Sequence, residues 1–306
     1  MTDVVVVGSA NVDLVLPVRR IPRPGETVLA SGLSRGPGGK GANQAVAAAR
    51  GGATTAFVAC LGDDDGGSLL REALGGAGVD LRLVRHTTKP TGMAIITVDE
   101  AGENAITVAP SANAELVLDD RSTAAIAAAR VVLAQLEIPL DTVRAAARAA
   151  RYMIVNAAPA AALDDELLAR VDLLVVNEHE AAVVSGVDGV PSETGPALLD
   201  RVPAVVVTLG ADGALVLQRD TAPEHVPGIA VDVVDTTAAG DTFCGVLAAA
   251  LARGEKLPDA VRRANAAGSL SVQTAGAIPS VPDVAAIDAR YAEIYGEPPA
   301  GPAGPV

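Results

Sequence analysis

The sequence predicts an α/β protein built on a doubly wound, mainly parallel central sheet with helices on both faces. Half of its 306 residues are hydrophobic but only 2% are aromatic, a composition that suits parallel strands covered by helices. Apolar runs typical of buried strands recur at residues 4–7, 131–133, 173–176 and 205–209. They alternate with Ala-rich stretches typical of helices, at residues 41–50, 120–129, 140–150, 164–169 and 241–253. In such a fold, ligands bind at the carboxyl ends of the strands.

Two stretches interrupt this alternation and predict a small second sheet. Residues 14–35 are rich in Pro and Gly, and residues 91–108 contain two apolar runs around a polar centre, a pattern typical of a β-hairpin. Together they predict a small β-sheet lid over a site at the strand ends. We therefore expect one domain over residues 1–295 with these lid segments inserted. Residues 296–306, dominated by Pro, Gly and Ala, are predicted to be disordered.

The charge and the cysteines argue against several classes of protein. A formal net charge of -14 disfavours a nucleic-acid partner, because binding to phosphate backbones needs a basic face. No apolar stretch approaches the roughly 18 residues of a membrane helix, and no basic leader precedes the first strand. We therefore expect a cytoplasmic protein with no membrane partner. Cys60 and Cys244 lack metal-like spacing and are expected to be buried, reduced thiols.

The strongest candidate site is the turn at residues 235–243, Asp-Thr-Thr-Ala-Ala-Gly-Asp-Thr-Phe, which leads into an Ala-rich helix. Ala238, Ala239 and Gly240 leave the backbone N–H groups uncovered, and the helix dipole adds positive potential, so the turn suits a phosphoryl-like anion. Asp241 then lies beside that anion. Alternatively, Asp241 simply caps the helix, a common function of Asp. An N-cap, however, requires no Ala-Ala-Gly before it.

Residues 38–43, Gly-Gly-Lys-Gly-Ala-Asn, form a second candidate site. The glycines allow the backbone to approach a ligand, while Lys40 and Asn43 supply hydrogen-bond donors. The segment is not a Walker A motif, because Gly41 rather than Ser or Thr follows Lys40. An ordinary glycine-rich loop before a helix would explain the glycines but not the two polar residues.

Polar residues after two of the predicted strands give weaker signals. Asn11 and Asp13 fall on one side of an extended segment and could hold vicinal hydroxyls, although a polar turn explains them more simply. The same segment has a single glycine, Gly8, where a dinucleotide-binding turn needs three. Asn177 and Glu180 could organise magnesium-bound water, but an exposed polar loop is the commoner explanation for such a run.

Taken together, these motifs resemble the ribokinase branch of the PfkB carbohydrate-kinase family over about residues 4–282. The resemblance rests on segments 38–45 and 235–243, supported by Gln135-Leu-Glu137 and by residues 22–27 in the expected lid. It implies an ATP-dependent kinase that phosphorylates the primary hydroxyl of a small sugar, with D-ribose, giving ribose 5-phosphate, as the favoured substrate. Segments 109–113 and 156–159 differ slightly from the usual sequence of that branch.

The resemblance also implies roles for individual residues. Asp241 would be the base that takes the proton from the hydroxyl, beside an anion hole formed by Ala238, Ala239 and Gly240. The sugar would be bound by Asn11, Asp13, Gly39, Lys40, Asn43, Glu137 and Asp241. ATP would be held by Asn177, Thr208, Gly210, Gly213, Gly240 and Asn265.

Two metal ions are implied in the same way. Mg²⁺ would bridge the phosphates through water held by Asn177 and Glu180. An activating K⁺ would be bound, mostly through carbonyl oxygens, by Asp235, Thr237, Ser271, Thr274, Gly276 and Ser280.

Other functions are weighed against this interpretation. Within the family, deoxyribose, a nucleoside or 2-keto-3-deoxygluconate is an alternative substrate; with two Phe, three Tyr and no Trp, few residues could stack on a base. A non-catalytic sugar sensor and a Rossmann dehydrogenase are alternatives from other classes. The intact Asp241 turn argues against the first and the lone Gly8 against the second. The open edge of the lid sheet predicts pairing with a second copy, hence a homodimer.

Overall fold

Strands and helices alternate along most of the chain in the computed structural model, which describes residues 2–296. The strands are β1 Val4–Val7, β2 Asn11–Pro17, β3 Ser34–Gly38, β4 Thr55–Val58, β5 Cys60–Gly62, β6 Arg85–Thr87, β7 Gly92–Val98, β8 Asn104–Ala109, β9 Val131–Ala134, β10 Met153–Asn156, β11 Leu173–Asn177, β12 Ala204–Thr208, β13 Gly213–Gln218 and β14 Glu224–Pro227. The helices are α1 Lys40–Arg50, α2 Asp65–Gly76, α3 Asp120–Ala128, α4 Leu140–Ala149, α5 Asp165–Leu168, α6 Glu178–Ser185, α7 Pro191–Leu199, α8 Ala239–Ala252, α9 Leu257–Ser271, α10 Ala277–Ser280 and α11 Val284–Tyr295.

The central sheet has eight strands in the order β14-β13-β12-β11-β10-β9-β1-β4. Every pair from β12 to β4 is parallel, whereas β12–β13 and β13–β14 are antiparallel. This mainly parallel sheet confirms the predicted fold class. The first strand, Val4–Val7, is completely buried, as expected for a strand that is covered on both sides.

Two hydrophobic clusters lie on the two faces of this sheet. Val4 and Val6 belong to the cluster that contains residues of α1, α8 and α9, whereas Val5 and Val7 belong to the one formed with α3, α4, α6 and α7. Successive side chains of a strand point to opposite faces, so a continuous apolar run fills both clusters. The small side chains of the Ala-rich helices let those helices pack closely against it.

A second sheet of four strands, in the order β3-β2-β7-β8, forms the predicted lid. β7 and β8 pair antiparallel as the expected hairpin, and β2 joins them in parallel. The lid strands extend beyond the predicted limits of 14–35 and 91–108, because β2 begins at Asn11 and β8 ends at Ala109. Asn11 and Asp13 therefore belong to the lid sheet and not to a turn after β1.

Other features were placed differently or missed by the sequence analysis. Helix α8 begins at Ala239, two residues before the predicted start. Strands β4 and β10 were not predicted, although both are buried in the central sheet. Cys60 and Cys244 are free and buried, as expected. No helix within residues 2–296 is long and apolar enough to span a membrane. Of the tail predicted to be disordered, residues 297–306 lie outside the described residues.

Close contact between α1 and α8 brings the two candidate sites together. A Cβ atom at Gly245 of α8 would lie 2.4 Å from the carbonyl oxygen of Gln44 and 2.5 Å from Cβ of Ala47. A Cβ at Gly41 of α1 would lie 2.6 Å from the backbone of Ser9. Because distances this short cannot be accommodated, glycine at both positions allows α1 to lie directly between β1 and α8.

We predict that Gly245→Ala lowers the free energy of unfolding by about 2 kcal/mol, since the methyl group overlaps the backbone of α1. The matched control is Gly268→Ala in α9, where a Cβ would meet no atom within 4 Å. This control is expected to raise stability by about 0.5 kcal/mol, because alanine favours helices. Urea unfolding of both variants measures the difference. Equal stability of the two variants would contradict the close packing of α1 on α8.

Candidate active site

A cleft that is partly open to solvent lies at the carboxyl ends of three neighbouring strands. Asn156, Asn177 and Thr208 end β10, β11 and β12 and line it. The cleft therefore lies where the sequence analysis placed a ligand site. Its lining includes many of the predicted site residues: Lys40, Asn177, Glu180, Thr208, Ala238, Ala239, Gly240 and Asp241.

Asp241 is the third residue of α8 and is only 7% exposed. Its Oδ2 accepts a hydrogen bond from Nδ2 of Asn43 at 2.9 Å, and its Oδ1 accepts one from Nε2 of Gln44 at 2.9 Å. Ala238, with a left-handed φ of 59°, occupies the N-cap position. The alternative in which Asp241 is the N-cap is therefore wrong.

Burial and the neighbouring groups shift the pKa of this carboxyl in opposite directions. Burial raises the pKa of Asp241, although Lys40 and the amides of Asn43 and Gln44 act in the opposite direction. For Lys40, burial lowers the pKa, but the carboxylates of Asp241, Glu137 and Glu180 together raise it above its ordinary value. Protonation of Asp241 would remove its attraction to the ammonium group of Lys40. One lysine thus lies among several carboxylates.

The turn before α8 has the open backbone that the sequence predicts. A Cβ atom at Gly240 would meet nothing within 4 Å, so the first turn of the helix is uncovered. The N–H of Ala239 donates to the carbonyl of Thr236 at 3.2 Å, whereas helix geometry leaves those of Gly240 and Asp241 without an intrahelical acceptor. Among the described residues, the N–H groups of Ala238, Gly240 and Asp241 are therefore the free donors of the turn, and two of them belong to the predicted trio of Ala238, Ala239 and Gly240.

The lid strand β2 brings a second carboxylate to the cleft. Asp13 packs closely on Gly38, since a Cβ atom added to Gly38 would lie 1.9 Å from Oδ2 of Asp13. Burial, followed by the nearby carboxylates of Glu137 and Asp241, raises the pKa of Asp13 to about 7. Asn11, two residues earlier, is 1% exposed, and its Oδ1 accepts a hydrogen bond from Nδ2 of Asn113 at 2.8 Å. These two predicted sugar-binding residues lie on the same side of β2, because side chains two residues apart in a strand share a face.

Glu137 joins the glycine-rich segment to the end of β9. Its Oε2 accepts hydrogen bonds from Oγ of Ser9 at 2.5 Å and from the backbone N–H of Lys40 at 3.2 Å. Gly39 has a φ of +90°, and a Cβ there would lie 2.7 Å from the backbone nitrogen of Asn11. Glycine is thus required at this position. The predicted sugar-binding residues from four separate parts of the chain therefore lie near Lys40 and Asp241, the two of them that line the cleft.

The predicted nucleotide-binding residues lie towards β11, β12 and β13. Asn177 caps α6 by accepting the N–H of Glu180, whose Oε2 accepts the N–H of Asn177 at 2.9 Å. The turn after Thr208 closes with the N–H of Leu209 donating to the carbonyl of Gly213, and it includes left-handed glycines at 210 and 213. Asn265 of α9 donates to the carbonyl of Pro227, the residue paired with Gly213 in the sheet.

The predicted potassium-binding residues come from two adjacent segments. The N–H groups of Val234 and Asp235 both donate to the carbonyl of Val272. The carboxylate of Asp235 accepts hydrogen bonds from the N–H groups of Thr237 and Gly276 at 2.9 and 2.8 Å. Ser271, Thr274 and Ser280 lie in the second of these segments, 271–280. Within residues 2–296, no three His, Cys, Asp or Glu side chains converge as a metal-binding group.

The sequence analysis assigned no role to several buried polar residues around the cleft. Gln44 and Gln135 are each 0% exposed, and Asn156 and Asn113 are also buried. Gln44 follows Asn43 in a helix that is rich in alanine, so a polar residue on a buried helix face was the available signal. Their hydrogen-bond partners are distant in sequence, and only the folded structure identifies them.

A model of the pfkB family of carbohydrate kinases matches residues 1–284. The chain belongs to this family. Ribokinase from Haemophilus influenzae is 38% identical over 289 residues, which cover 90% of this chain and 94% of that protein. These matches confirm the predicted resemblance. The chain is therefore a phosphotransferase that acts on a hydroxyl group of a carbohydrate.

Solved structures of family members share the fold over almost the whole chain. The structure of Arabidopsis thaliana ribokinase complexed with ribose and ATP is 35% identical, with a TM-score of 0.89, and the match covers 95% of this chain and 98% of that one. Thermotoga maritima ribokinase is 36% identical, with a TM-score of 0.88 and coverage of 95% and 99%. The chain therefore shares its fold with these two ribokinases over almost its whole length.

We predict that Asp13→Asn stabilises the sugar-free protein more at pH 8 than at pH 5. The native carboxyl keeps its proton up to about pH 7, whereas the unfolded chain releases it near pH 4. Stability that this group contributes at low pH is therefore lost as the pH rises between these values. Urea unfolding of the parent and the variant at both pH values measures the effect. An equal difference at the two pH values would show that the pKa of Asp13 is not raised.

Proposed function

We propose that this carbohydrate kinase transfers the γ-phosphoryl group of ATP to the primary hydroxyl of D-ribose, giving ribose 5-phosphate and ADP. The observation that carries the proposal is the position of Asp241. Its buried carboxylate lies directly beside the uncovered N–H groups at the start of α8. This arrangement suits the removal of a proton from a hydroxyl while the N–H groups bind the phosphoryl group that is transferred to it. Relatives named ribokinase cover most of the chain, and one similar protein was solved with ribose and ATP.

The residues of the cleft divide into two groups on this proposal. Asn11, Asp13, Gly39, Lys40, Asn43 and Glu137 bind the sugar, with Asp13 accepting hydrogen bonds from two hydroxyls. Asn177, Thr208, Gly210, Gly213, Gly240 and Asn265 hold the nucleotide. The sugar oxygen bonds to the γ-phosphorus, the bond to the leaving oxygen of ADP breaks, and the proton passes to Asp241. The N–H groups of Gly240 and Asp241 stabilise the charge on the phosphoryl oxygens.

Magnesium and potassium fit the residues present. A cleft with the carboxylates of Glu180 and Asp241 repels the phosphates of ATP unless a divalent cation accompanies them. Asn177 and Glu180 supply oxygen atoms that accept hydrogen bonds from Mg²⁺-bound water. Asp235 supplies the one negative charge of the potassium site, to which Thr237, Ser271, Thr274, Gly276 and Ser280 add hydroxyl and carbonyl oxygens. The Mg²⁺ would neutralise phosphate charge, and the K⁺ would support the adjacent turn. A cytoplasmic location, where ATP is available, accompanies this proposal.

The proposal is tested by measuring ADP release with Mg²⁺-ATP across pentoses, hexoses, nucleosides and 2-keto-3-deoxygluconate, with and without K⁺. Turnover confined to ribose and enhanced by K⁺ is the expected result. Turnover on deoxyribose or a nucleoside instead would keep the phosphoryl transfer and change the substrate. No turnover on any acceptor would support a non-catalytic sugar sensor.

Asp241→Asn is the variant that tests the proposed base. It keeps the size of the side chain but removes the proton acceptor, so kcat is expected to fall by about 10²–10⁴-fold. Sugar binding, measured by calorimetry, is expected to persist. Activity within a few-fold of the parent would show that Asp241 is not the base.

We further propose that the chain forms a homodimer through its lid. The edge strand β8 is exposed along its whole length, and Ile106 and Val108 there are 55% and 38% exposed. On the next strand, Met93 and Ile95 are 38% and 41% exposed. An open edge with exposed apolar residues favours pairing with another sheet.

Light scattering is expected to give the mass of a dimer for the parent chain. Ile106→Lys places a charge on the exposed lid surface and is expected to raise the dissociation constant of the dimer at least about tenfold. Val117→Lys is the control, because Val117 is similarly exposed, at 61%, but lies outside the lid. A monomeric parent, or dissociation by both variants alike, would refute the lid as the interface.

A further inference from the structure

A continuous chain of buried amide groups extends from the carboxylate of Asp241. Nε2 of Gln44, besides donating to Asp241, donates to Oδ1 of Asn156 at 3.0 Å. Oε1 of Gln44 accepts a hydrogen bond from Nε2 of Gln135. Nδ2 of Asn156 in turn donates to the carbonyl of Val175 at 3.3 Å. The chain therefore joins α8, through α1, to the residue after β9, to the end of β10 and to the middle of β11.

The chemistry of the groups fixes the direction of every bond in this chain. An ionised carboxylate only accepts hydrogen bonds, so the amide nitrogen of Gln44 must face Asp241. The amide oxygen of Gln44 then faces the opposite way, where the nitrogen of Gln135 supplies its donor. A reversed Gln44 would place its oxygen against the carboxylate. The orientation of Gln44 thus depends on Asp241 at one end and Gln135 at the other.

Burial of these amides has a cost that packing alone does not explain. Gln44 and Gln135 are 0% exposed, and a buried polar group destabilises a protein unless it is hydrogen-bonded. Oε1 of Gln135 has no hydrogen-bond partner among the described residues. It packs against Gly8, where an added Cβ atom would lie 2.1 Å from it. Apolar side chains would fill this space without an unpaired oxygen. The arrangement is better explained by a requirement at Asp241.

We propose that Gln44, oriented by Gln135 and Asn156, is a positioning residue that fixes the carboxylate of Asp241 for proton transfer from the substrate hydroxyl. This inference rests on the proposed role of Asp241 as the base. Each carboxylate oxygen has about two acceptor directions. The amides of Asn43 and Gln44 occupy one on each oxygen and leave the others for the incoming hydroxyl. The donated N–H groups also favour the charged form, which must be present before the proton arrives.

Several other groups face Asp241 and contribute to its titration. Lys40 of α1 favours the charged form and Glu137 after β9 disfavours it. Asp13 of the lid and Glu180 of α6 are close enough to interact with it electrostatically. On its own helix, burial raises the pKa of Cys244 well above its ordinary value, so this group is a neutral thiol. The test variants leave all of these groups unchanged.

The test compares Gln44→Met and Gln135→Met with the parent in steady-state kinetics from pH 5 to 9. For Gln44→Met we expect kcat to fall by about 10- to 100-fold, with the KM values for sugar and ATP changed by less than about threefold. Loss of the N–H donor raises the pKa of Asp241, so the acid limb of the kcat profile moves to higher pH. Gln135→Met should produce the same changes to a smaller extent, because it loosens Gln44 without removing it.

A double variant and a stability control separate positioning from general destabilisation. In the Gln44→Met/Gln135→Met protein, the shift of the acid limb should equal that of Gln44→Met alone, since Gln135 acts through Gln44. Thr142→Val is the control. It removes another buried hydrogen bond, from Thr142 to the carbonyl of Leu116, and should lower stability without moving the profile.

The outcome distinguishes failure of this inference from failure of the proposed function. Unchanged kcat and pH profile in both glutamine variants would overturn the positioning role while leaving Asp241 as the base. Additive shifts in the double variant would also overturn it, because the two residues would then act independently. If Gln44→Met does not fold, the pH profile of kcat for Gln135→Met alone tests the positioning role. High activity of Asp241→Asn would instead remove the premise and the proposed base together.

Discussion

The organisation of the cleft depends on accommodating a buried carboxylate. Asp241 is 7% exposed, and burial of an unpaired charge is strongly unfavourable. The protein meets this constraint with the ammonium group of Lys40, the amides of Asn43 and Gln44, and the free N–H groups at the start of α8. A negative substrate must then enter a cleft that already contains several carboxylates. The same N–H groups must therefore serve the substrate as well as the protein.

Close approach of backbones is the second constraint, and it follows from the first. Lys40, Asn43 and Gln44 can reach Asp241 only if α1 and α8 lie in contact. Gly41 lets α1 approach β1, and Gly245 lets α8 approach α1. Gly38 makes room for Asp13 of the lid in the same way. Small residues at these positions thus allow charged and amide groups from distant parts of the chain to meet, and the Ala-rich helices extend this close packing across the sheet.

Much of the fold was predictable because its signals are local. Continuous apolar runs mark strands that are covered on both faces, and the hairpin at residues 92–109 has an alternating pattern and a polar turn. Short strands such as β4 and β10 gave weaker signals. Their neighbours in the sheet lie far away in the chain, so burial rather than local pattern defines them. The lid boundary was misplaced for a similar reason, since residues 11–13 pair with β3 and β7, and this pairing cannot be read from their own sequence.

For the site, the sequence by itself determined which groups are available: the Ala-Ala-Gly-Asp turn, the Gly-Gly-Lys-Gly-Ala-Asn segment, Asp13 and Glu137. Short motifs of this kind specify their chemistry locally, because a turn and its donors are built from adjacent residues. Only the tertiary structure decided what these groups do to one another. It raised the pKa values of Asp13 and Asp241 by desolvation, and it joined Gln44 and Gln135 across 91 residues of chain by a hydrogen bond. Burial and long-range contacts are properties of the packed chain, so no local pattern contains them.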